Sequence, residues 1–417
     1  MTAALDRAAV AGLLERHAVA RVFDALDGEG EETRIVGGAV RNALLRRPVH
    51  EVDFATTSPP DVTTARAEAA GLKVIPTGVE HGTVTVLVDG DAFEVTTLRE
   101  DVETYGRRAK VRFGRSFAQD ARRRDFTINA LSLTRDGRID DPVDGMADLA
   151  AHRVRFIGDP AARIREDYLR ILRFFRFHAE YAEGPLDAAG FGAAIRGRGG
   201  LAVLSRERIG AEFLKLLSAR RAPEVVGALS DAGFLCQLAG GVGELGRLAR
   251  VVATGAPADP IRRLAALAVM VIEDADRLQE NLRLSNAARD RLAAYAAALA
   301  RLKSLPAGVA EADVRRVAAT EGIEALRDVR TAAGGEPGLM LGAGPSAQLA
   351  RFLEGEEPAP ELPLRGADLL ARGIASGPGV GAMMAEARRL WLEWGCPTGE
   401  GVRADLVGRL LGAQAVP

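Results

Sequence analysis

Strand-forming patterns in this 417-residue chain are confined to its first third, and this asymmetry limits the folds that the chain can adopt. Short runs of β-branched and other apolar residues predict four strands, at 34–36, 52–55, 83–88 and 92–98. The Asp89-Gly90 pair predicts a hairpin turn between the last two. Because helical periodicity replaces these patterns beyond about residue 160, we expect an α+β fold. A head of about 150 residues would hold a mixed sheet flanked by helices, and the remainder would be all-α.

Helices are predicted before the first strand, between strands and throughout the remainder. One amphipathic helix is predicted over 5–27 and a short one over 39–45. The later helices are predicted at 161–180, 204–220, 223–236, 260–280, 286–302 and 383–394. Two segments lack such periodicity. The polar stretch 99–120 predicts a mobile loop, and the Gly-, Pro- and Glu-rich stretch 333–364 predicts a linker.

The composition excludes several classes of protein. No apolar run approaches the roughly 18–20 residues that a membrane span needs, and residues 1–22 lack the apolar core of a signal peptide. With only Cys236 and Cys396, the chain predicts neither a disulfide framework nor a thiolate zinc site. We therefore expect a cytoplasmic protein without a membrane partner, and its oligomeric state is left open.

The overall charge is nearly balanced, with 55 basic and 57 acidic residues. A net charge of −2 argues against a polyanionic partner. The distribution is uneven, however, because nine basic residues face five acidic ones between Arg99 and Asp125. All but four of the basic residues are arginines, so an individual arginine is informative only at a defined spacing.

Few catalytic side chains are available in the head. The five histidines show no metal-binding spacing, and neither the G-x-S-x-G motif nor the P-loop motif is present. Gly37-Gly38 lies between a predicted strand and a predicted helix, where backbone N–H groups can face a phosphate. Arg41 follows in the first helical turn and can bind the same anion through two N–H groups. Taken alone, the glycine pair also fits a plain strand-to-helix turn.

Carboxylates on the predicted strands suggest a metal site. Glu51 and Asp53 are two residues apart on one predicted strand, so they share a face, and Glu94 is on a neighbouring strand. Three carboxylates on adjacent strands can hold two Mg²⁺ ions about 3.5–4 Å apart, as in-line phosphoryl transfer requires. An E-x-D pair by itself is more typical of a solvated acidic strand edge.

An arginine-rich segment at 166–176 also predicts a helix. In it, Asp167 and Arg170 are i, i+3 neighbours, and Arg173 and Arg176 follow at the same interval. An Asp–Arg pair on one helical face can offer an acceptor and a donor fork to the edge of a nucleobase, while the later arginines reach phosphates. An isolated D-x-x-R is more typical of a salt bridge, which contributes little stability.

Each of these motifs has an ordinary structural explanation when taken alone, but together they indicate a nucleotide-binding site. Over roughly residues 34 to 220, the chain resembles the class II CCA tRNA nucleotidyltransferases and bacterial poly(A) polymerases of the polymerase-β-type nucleotidyltransferase superfamily. Six strings match the motifs of this family in order, at 37–45, 51–56, 94–99, 123–131, 166–170 and 207–212. Beyond about residue 220 the resemblance is limited to a helical body and tail.

The resemblance implies roles for most of these residues. The metal ligands would be Glu51 and Asp53, with Glu94 as a further catalytic carboxylate. The nucleotide would be bound by Gly37, Gly38, Arg41, Arg124, Asp125, Asp167, Arg170, Arg173 and Arg176. Within this set, Asp167 and Arg170 would read the base edges of CTP and ATP. The basic residues of 99–120 would take part in the switch from CTP to ATP; they include Arg107, Arg108, Lys110 and Arg112.

The resemblance also implies a domain order and partners. Residues 1–150 would form the nucleotidyltransferase head, or palm, and 151–222 a helical neck with the base-reading helix. Residues 223–335 would form a helical body and 336–417 a helical tail, which would bind the acceptor arm of tRNA through its shape and phosphates. The implied reaction is Mg²⁺-dependent transfer of CMP and AMP from CTP and ATP to the tRNA 3′ end, with release of pyrophosphate.

Two positions depart from the family's motifs. Glu51 replaces the first Asp of D-x-D, and its strand or rotamer must accommodate the extra methylene because Mg²⁺ takes ligands at about 2.0–2.1 Å. Asn42 replaces an Asp that would add a charge to the first helical turn. Since the other motifs are intact, we expect activity to be retained.

Two alternatives remain open. A poly(A) polymerase, or an enzyme that adds only A or only C, would carry the same head motifs. The chain ends at Ala415-Val416-Pro417 without a basic extension, which favours CCA addition. A non-catalytic relative, with Glu51 marking a decayed metal site, would bind tRNA without incorporating nucleotides.

Overall fold

The computed structural model describes residues 5–105, 108–305, 308–336 and 339–413. The chain divides into two compact units, Met1–Arg221 and Ala222–Pro417. All strands of the described residues lie in the first unit, and the described part of the second unit is helical. The predicted α+β class is therefore confirmed. Among these residues, no helix combines the length and the hydropathy needed to span a membrane.

A mixed seven-stranded sheet forms the centre of the first unit, in the order β3-β4-β5-β2-β1-β8-β9. Its strands are β1 (Thr33–Val36), β2 (Asp53–Thr56), β3 (Lys73–Gly78), β4 (Thr83–Val88), β5 (Asp91–Thr97), β8 (Ser132–Leu133) and β9 (Ile139–Asp140). The central pair β2 and β5 is parallel, and the other neighbours are antiparallel. Phe54 pairs with Val95, which places Asp53 and Glu94 at neighbouring positions of adjacent strands.

The predicted hairpin over 83–98 is confirmed. β4 and β5 pair antiparallel, with Val88 opposite Asp91. The two turn residues between them, Asp89 and Gly90, have φ of +52° and +96°. Positive φ at both central positions is typical of the turn that matches the right-handed twist of a hairpin.

A second hairpin lies outside the main sheet, where β6 (Arg99–Tyr105) pairs antiparallel with β7 (Arg108–Phe113). The prediction of a mobile loop over 99–120 is therefore wrong for these strands and for the helix at Phe117–Arg122. Apolar alternation, the pattern from which strands are predicted, is not required for a hairpin held by backbone hydrogen bonds. Of the basic residues predicted to act there, Arg107 and the side chains of Arg108, Lys110 and Arg112 lie outside the described residues.

Ten α-helices of the described residues belong to the first unit. They are α1 (Arg7–Leu14), α2 (His17–Leu26), α3 (Gly38–Leu44), α4 (Pro60–Ala69), α5 (Phe117–Arg122), α6 (Gly145–Ala150), α7 (Pro160–Glu166), α8 (Leu169–Tyr181), α9 (Ala188–Gly197) and α10 (Arg206–Ser218). Short 3-10 helices lie at Val79–His81, Thr127–Asn129 and Arg198–Val203. The single helix predicted over 5–27 is two helices, because Arg16 is extended, with φ −63° and ψ 122°.

The helix predicted over 161–180 is also interrupted. α7 ends at Glu166 and α8 begins at Leu169. Between them, Asp167 is extended, with φ −154° and ψ 109°. The prediction that Asp167 and Arg170 share one face of a continuous helix is therefore wrong.

Aromatic side chains form much of the core of the first unit. Phe54 of β2 packs edge to face against Phe23 of α2, with ring centroids 5.3 Å apart. Phe126 contacts Phe156 and, on α8, Phe177, at centroid distances of 4.9 and 5.2 Å. The second group holds α8 against the segment that follows α5, so the position of α8 is fixed by buried apolar contacts.

The described part of the second unit is built from helices. They are α11 (Ala222–Asp231), α12 (Phe234–Ala239), α13 (Leu245–Ala253), α14 (Pro260–Ala268), α15 (Glu273–Leu282), α16 (Asn286–Lys303), α17 (Glu311–Thr320), α18 (Ile323–Ala333), α19 (Ala343–Leu353), α20 (Gly366–Leu370), α21 (Pro378–Glu393) and α22 (Glu400–Ala413). Among them, α18 contacts α13, α14 and α16 as well as its chain neighbours. The helices predicted over 223–236 and 260–280 are each two helices. The linker predicted over 333–364 contains α19, so that prediction is wrong for these residues.

Candidate active site

A cleft of about 610 Å³ opens in the first unit, lined by residues of α3, the segment that leads into β2, 123–129, α8 and α10. Six arginines and four carboxylates line it: Arg41, Arg123, Arg124, Arg170, Arg173, Arg208, Glu51, Asp53, Asp125 and Asp167. The remaining lining residues are Gly37, Gly38, Asn129, Leu169 and Phe177. The excess of arginines suits an anionic ligand, and the volume suits one of nucleotide size.

The glycine pair lets the backbone turn closely past two of these arginines. Gly37 has φ +70°, which L side chains rarely adopt. A Cβ there would lie 3.0 Å from Nη1 of Arg124, so a side chain would force the guanidinium to move. A Cβ at Gly38 would lie 3.6 Å from Nη2 of Arg41. Both glycines are thus in the cleft wall. The backbone N–H of Gly37 does not face a ligand, because it donates to the Leu131 carbonyl at 2.9 Å.

Arg41 is buried, with 6% of its surface exposed. Its guanidinium donates to Oδ1 of Asn42 at 3.1 Å from Nε and 2.9 Å from Nη2, to Oδ1 of Asn129, and to the Tyr181 hydroxyl at 2.8 Å. Burial lowers the pKa of Arg41 from its ordinary value. All of these hydrogen-bond acceptors are neutral, so a buried positive charge faces the cleft without a carboxylate bonded to it.

Asp53 begins β2 and lies among other acids. Burial and the charges of Glu94 and Glu51 raise its pKa, while the charge of Arg124 acts in the opposite direction. Glu51 precedes β2, so the prediction that it shares a strand with Asp53 is wrong, although both residues line the cleft. Glu94 instead lines an adjoining cleft of about 240 Å³, which it shares with Asp53 and Arg124.

These carboxylates fit a divalent cation that is bound together with a substrate. Among the described residues, no three Asp, Glu, His or Cys side chains form a group that could hold a metal ion. Mg²⁺, however, usually keeps several waters and takes one or two carboxylates together with substrate phosphates. Burial and the charges of Glu94 and Glu51 raise the pKa of Asp53 more than Arg124 lowers it, and a bound cation would offset this repulsion.

Arg124 and Asp125 each have a charged partner of their own, and both also contact Asn129. Arg124 donates to Oδ2 of Asp120 at 3.2 Å from Nε and 3.1 Å from Nη2, and to the Asn129 carbonyl at 3.3 Å. Asp125 accepts from Arg173 at 2.7 Å and from Nδ2 of Asn129 at 3.0 Å. Burial opposes ionisation of Asp125, but the charge of Arg173 and these hydrogen bonds outweigh it and lower its pKa. Asp125 is therefore a neutralised carboxylate in the cleft wall.

Asp167 and Arg170 both line the cleft but are not paired with each other. Asp167 accepts from Nη2 of Arg208 at 2.6 Å and from the backbone N–H of Leu169 at 3.1 Å. Arg170 donates to Glu166 at 2.5 Å and to the carbonyl of Arg163 at 3.0 Å. Asp167 and Arg170 are therefore each held in place by a different partner, Arg208 and Glu166.

Arg173 and Arg176 differ in their position. Arg173 lines the cleft, and the charge of Asp125 raises its pKa in spite of burial. Arg176 donates to Oε2 of Glu212 at 2.6 Å and does not line the cleft. Of the residues predicted to bind nucleotide, the structure therefore gathers all but Arg176 around one cleft.

Several residues in or beside this site have no role predicted from the sequence, among them Asn129, Arg208 and Tyr181. Asn129 and Arg208 lie within matched motifs, and that was the only signal available for them. Tyr181 lies outside the motifs, and no signal in the sequence indicates its contact with Arg41, which is 140 residues away. Such contacts depend on the tertiary fold rather than on local spacing.

The chain is similar to a defined group of known proteins. Residues 33–155 match the poly A polymerase head domain. The mitochondrial CCA tRNA nucleotidyltransferase 1 of Mus musculus is 32% identical over 388 residues, which cover 88% of this chain and 84% of that protein. The CCA-adding enzyme of Leuconostoc citreum is 40% identical over 228 residues, 52% of this chain and 54% of that protein, so this match spans about half of each.

A solved structure extends the similarity to the whole fold. The crystal structure of the Bacillus stearothermophilus CCA-adding enzyme in complex with CTP superposes with a TM-score of 0.73 at 27% sequence identity. That likeness covers 97% of this chain and 98% of the other. Since the similarity to a CCA tRNA nucleotidyltransferase extends over most of both chains, this chain belongs to the CCA-adding tRNA nucleotidyltransferase family.

Proposed function

We propose that this protein transfers CMP and AMP from CTP and ATP to the 3′ end of tRNA, with release of pyrophosphate. The observation that carries the proposal is the cleft in which an arginine-rich wall meets the carboxylates Asp53 and Glu51. The arginines supply charge for a triphosphate, and the carboxylates supply ligands for Mg²⁺. The family relationship over most of the chain supports the same reaction.

The reaction needs no nucleophilic side chain. The 3′-hydroxyl of the tRNA attacks the α-phosphorus and forms a new P–O bond, the bond to the β-phosphate oxygen breaks, and the hydroxyl proton is released. Asp53 and Glu51 would hold Mg²⁺, which when bound supplies charge neutralisation at the phosphates and makes the hydroxyl more acidic. Glu94 adds negative charge on the far side of Asp53. Arg41 and Arg124 bind the triphosphate and stabilise the charge of the leaving pyrophosphate.

Asp167 and Arg170 read the base in this proposal. An Asp carboxylate accepts hydrogen bonds and an Arg guanidinium donates them, so the two together can match the polar edge of a cytosine or an adenine. The independent partners of the two residues, Arg208 and Glu166, support a prearranged reading edge. Arg173 lies beside the nucleotide, held by Asp125. Arg176 acts through Glu212, which lies 2.6 Å from Arg176 and 3.9 Å from Arg173.

The domain order belongs to the same proposal. Residues 1–150 act as the nucleotidyltransferase head and 151–222 as the neck that carries the base-reading residues. Residues 223–335 and 336–417 act as the body and tail that bind the acceptor arm of tRNA. The division into units after Arg221 supports a boundary close to residue 222.

An incorporation assay tests the proposal. The protein is incubated with Mg²⁺ and tRNA that lacks its 3′ CCA, with CTP alone, ATP alone or both, and the 3′ ends are sequenced. We expect two C residues with CTP alone, CCA with both nucleotides and no addition with ATP alone. A tRNA that already ends in CCA is the matched control and should stay unchanged.

Three other results would contradict the proposal. Long tails with ATP alone would identify a poly(A) polymerase. Addition that stops at C, or A addition only to a tRNA that already ends in CC, would identify a partial enzyme. Binding of tRNA without any incorporation would identify a non-catalytic relative.

A further inference from the structure

Arg41 is the most deeply buried arginine of the cleft, and all of its hydrogen-bond partners are neutral. Its Nε and Nη2 share one acceptor, Oδ1 of Asn42, and Nη2 also donates to the Tyr181 hydroxyl. Among the described residues, no carboxylate forms an ion pair with Arg41. Asp125 attracts the Arg41 guanidinium through space, but none of the groups bonded to Arg41 is charged. Its charge therefore remains available to a ligand, provided that its orientation is fixed.

Tyr181 fixes that orientation from the end of α8. Its hydroxyl lies 2.8 Å from Nη2 of Arg41 and 3.3 Å from Oδ1 of Asn42. Since the hydroxyl donates to Asn42, its lone pairs are left to accept from Arg41. The three polar groups therefore form a closed triangle, in which each contact restrains the other two.

The Tyr181 ring reinforces the triangle. The Arg41 guanidinium lies over this ring at 4.1 Å from the centroid, and Arg47 lies over it at 4.7 Å. Phe177, one turn earlier on α8, stacks with Tyr181 at 5.7 Å. Arg47 also donates to the Glu180 carbonyl at 2.8 Å, which ties the end of α8 to the segment after α3. Tyr181 is thus held on several sides while it contacts Arg41.

The position of Tyr181 links two parts of the cleft. α8 also carries Arg170 and Arg173, which line the wall where the base and the nucleotide would lie. Arg41 belongs to α3, beside the glycine turn. α8 therefore positions Arg170 and Arg173 directly and Arg41 through Tyr181.

We propose that Tyr181, together with Asn42, is a positioning residue that holds Arg41 in the orientation required to bind the triphosphate. This inference rests on the proposed function, since it assigns the triphosphate to Arg41. Tyr181 is not among the residues that line the cleft, so it would act through Arg41. Its loss should weaken every ligand with a triphosphate to the same degree, whatever its base.

Tyr181→Phe tests the inference because it removes the hydroxyl and keeps the ring. We expect the affinities for CTP, ATP and inorganic tripolyphosphate, measured by calorimetry with Mg²⁺ present, to fall together by about five- to tenfold. The affinity for CMP and the ratio of the KM values for CTP and ATP should stay at the wild-type values. Tyr295→Phe, which removes a buried tyrosine hydroxyl in the second unit, is the matched control and should change none of these values.

A double-mutant cycle separates positioning from a general effect on folding. Asn42→Ala removes the acceptor that Arg41 and Tyr181 share, so it should weaken tripolyphosphate binding to a similar degree. Because the triangle acts as a unit, adding Tyr181→Phe to Asn42→Ala should cost less than it costs in the wild type. Thermal melting of each variant shows whether the fold is kept.

The outcomes distinguish this inference from the proposed function. If the wild type incorporates CMP and AMP but Tyr181→Phe binds tripolyphosphate as tightly as the wild type, the inference is wrong and the proposed function stands. A changed CTP-to-ATP ratio with unchanged tripolyphosphate affinity would also overturn the inference, because it would place the effect at the base. Absence of incorporation by the wild type would count against the proposed function itself.

Discussion

Two groups of arginines and carboxylates in this protein differ in whether their charges are paired. In the second unit, Asp328 is fully buried and accepts from Arg262 at 2.5 Å and from Nε of Arg291 at 2.8 Å. Asp259 and Glu324 pair with the same two arginines, so every charge has an opposite partner. Such a closed network holds helices together and leaves no charge for a ligand.

In the cleft of the first unit, by contrast, Arg41 and Asp53 form no ion pair with any described residue, although most of their neighbours do. Arg41 is bound by neutral acceptors, and Asp53 lies among carboxylates that raise its pKa. Most other charges of the cleft are paired: Arg173 with Asp125, Arg170 with Glu166, Asp167 with Arg208, and Arg124 with Asp120. The comparison indicates that a site able to bind a charged ligand is distinguished by charges that lack an oppositely charged partner, rather than by the number of its charges.

The largest effect on stability is expected at the closed network. Asp328→Ala leaves Arg262 and Arg291 without their buried partner, and we expect the free energy of unfolding to fall by about 3–5 kcal/mol. Urea denaturation measures the change, with Asp290→Ala as a control, because Asp290 is exposed and pairs only with Arg289 at 3.1 Å. The affinity for CTP of the folded variant should equal that of the wild type. A loss of CTP affinity without a loss of stability would break the distinction between the two groups.

The raised pKa of Asp53 predicts that metal binding depends on pH. Because the pKa of Asp53 is raised, this group becomes protonated at a higher pH than an ordinary aspartate as the pH falls. Only the ionised form binds Mg²⁺, so the affinity should fall by up to about tenfold per pH unit below that pKa. Titration with Mg²⁺ at a series of pH values, followed by calorimetry, measures the midpoint. A midpoint at or below that of a free aspartate would show that the charge of Asp53 is compensated after all.

The smallest effect is expected at Glu51, which precedes β2 and reaches the cleft with a longer side chain. Glu51→Asp restores the residue of the family motif, and we expect the Mg²⁺ affinity to rise by about two- to fivefold because less side-chain entropy is lost on binding. Glu51→Gln keeps the length and removes the charge, so it should lower the affinity. Equal affinities for all three proteins would show that Glu51 is not a metal ligand.

Local patterns in the sequence predict what depends on local geometry. The β4–β5 hairpin follows from alternation around Asp89-Gly90, and the cleft position of Gly37 follows from a glycine pair after a strand. The break at Asp167 does not follow from apolar periodicity, since Asp167 is fixed by Arg208, 41 residues away. Likewise, β6 and β7 are polar strands, and the contact of Arg41 with Tyr181 spans 140 residues. The order of the motifs in the sequence therefore predicted most of the residues that line the cleft. It did not predict which of them are paired with an opposite charge.

The most direct test of the role of Asp53 is Asp53→Asn, measured for incorporation, tRNA binding and stability in parallel. We expect Mg²⁺-dependent incorporation of CMP and AMP to fall by at least about a thousandfold. Binding of tRNA should be unchanged, and the free energy of unfolding should stay equal or rise, because the repulsion from Glu94 and Glu51 is removed. Incorporation at the wild-type rate, or a loss of activity explained by a loss of stability, would contradict the assignment of Asp53 to catalysis.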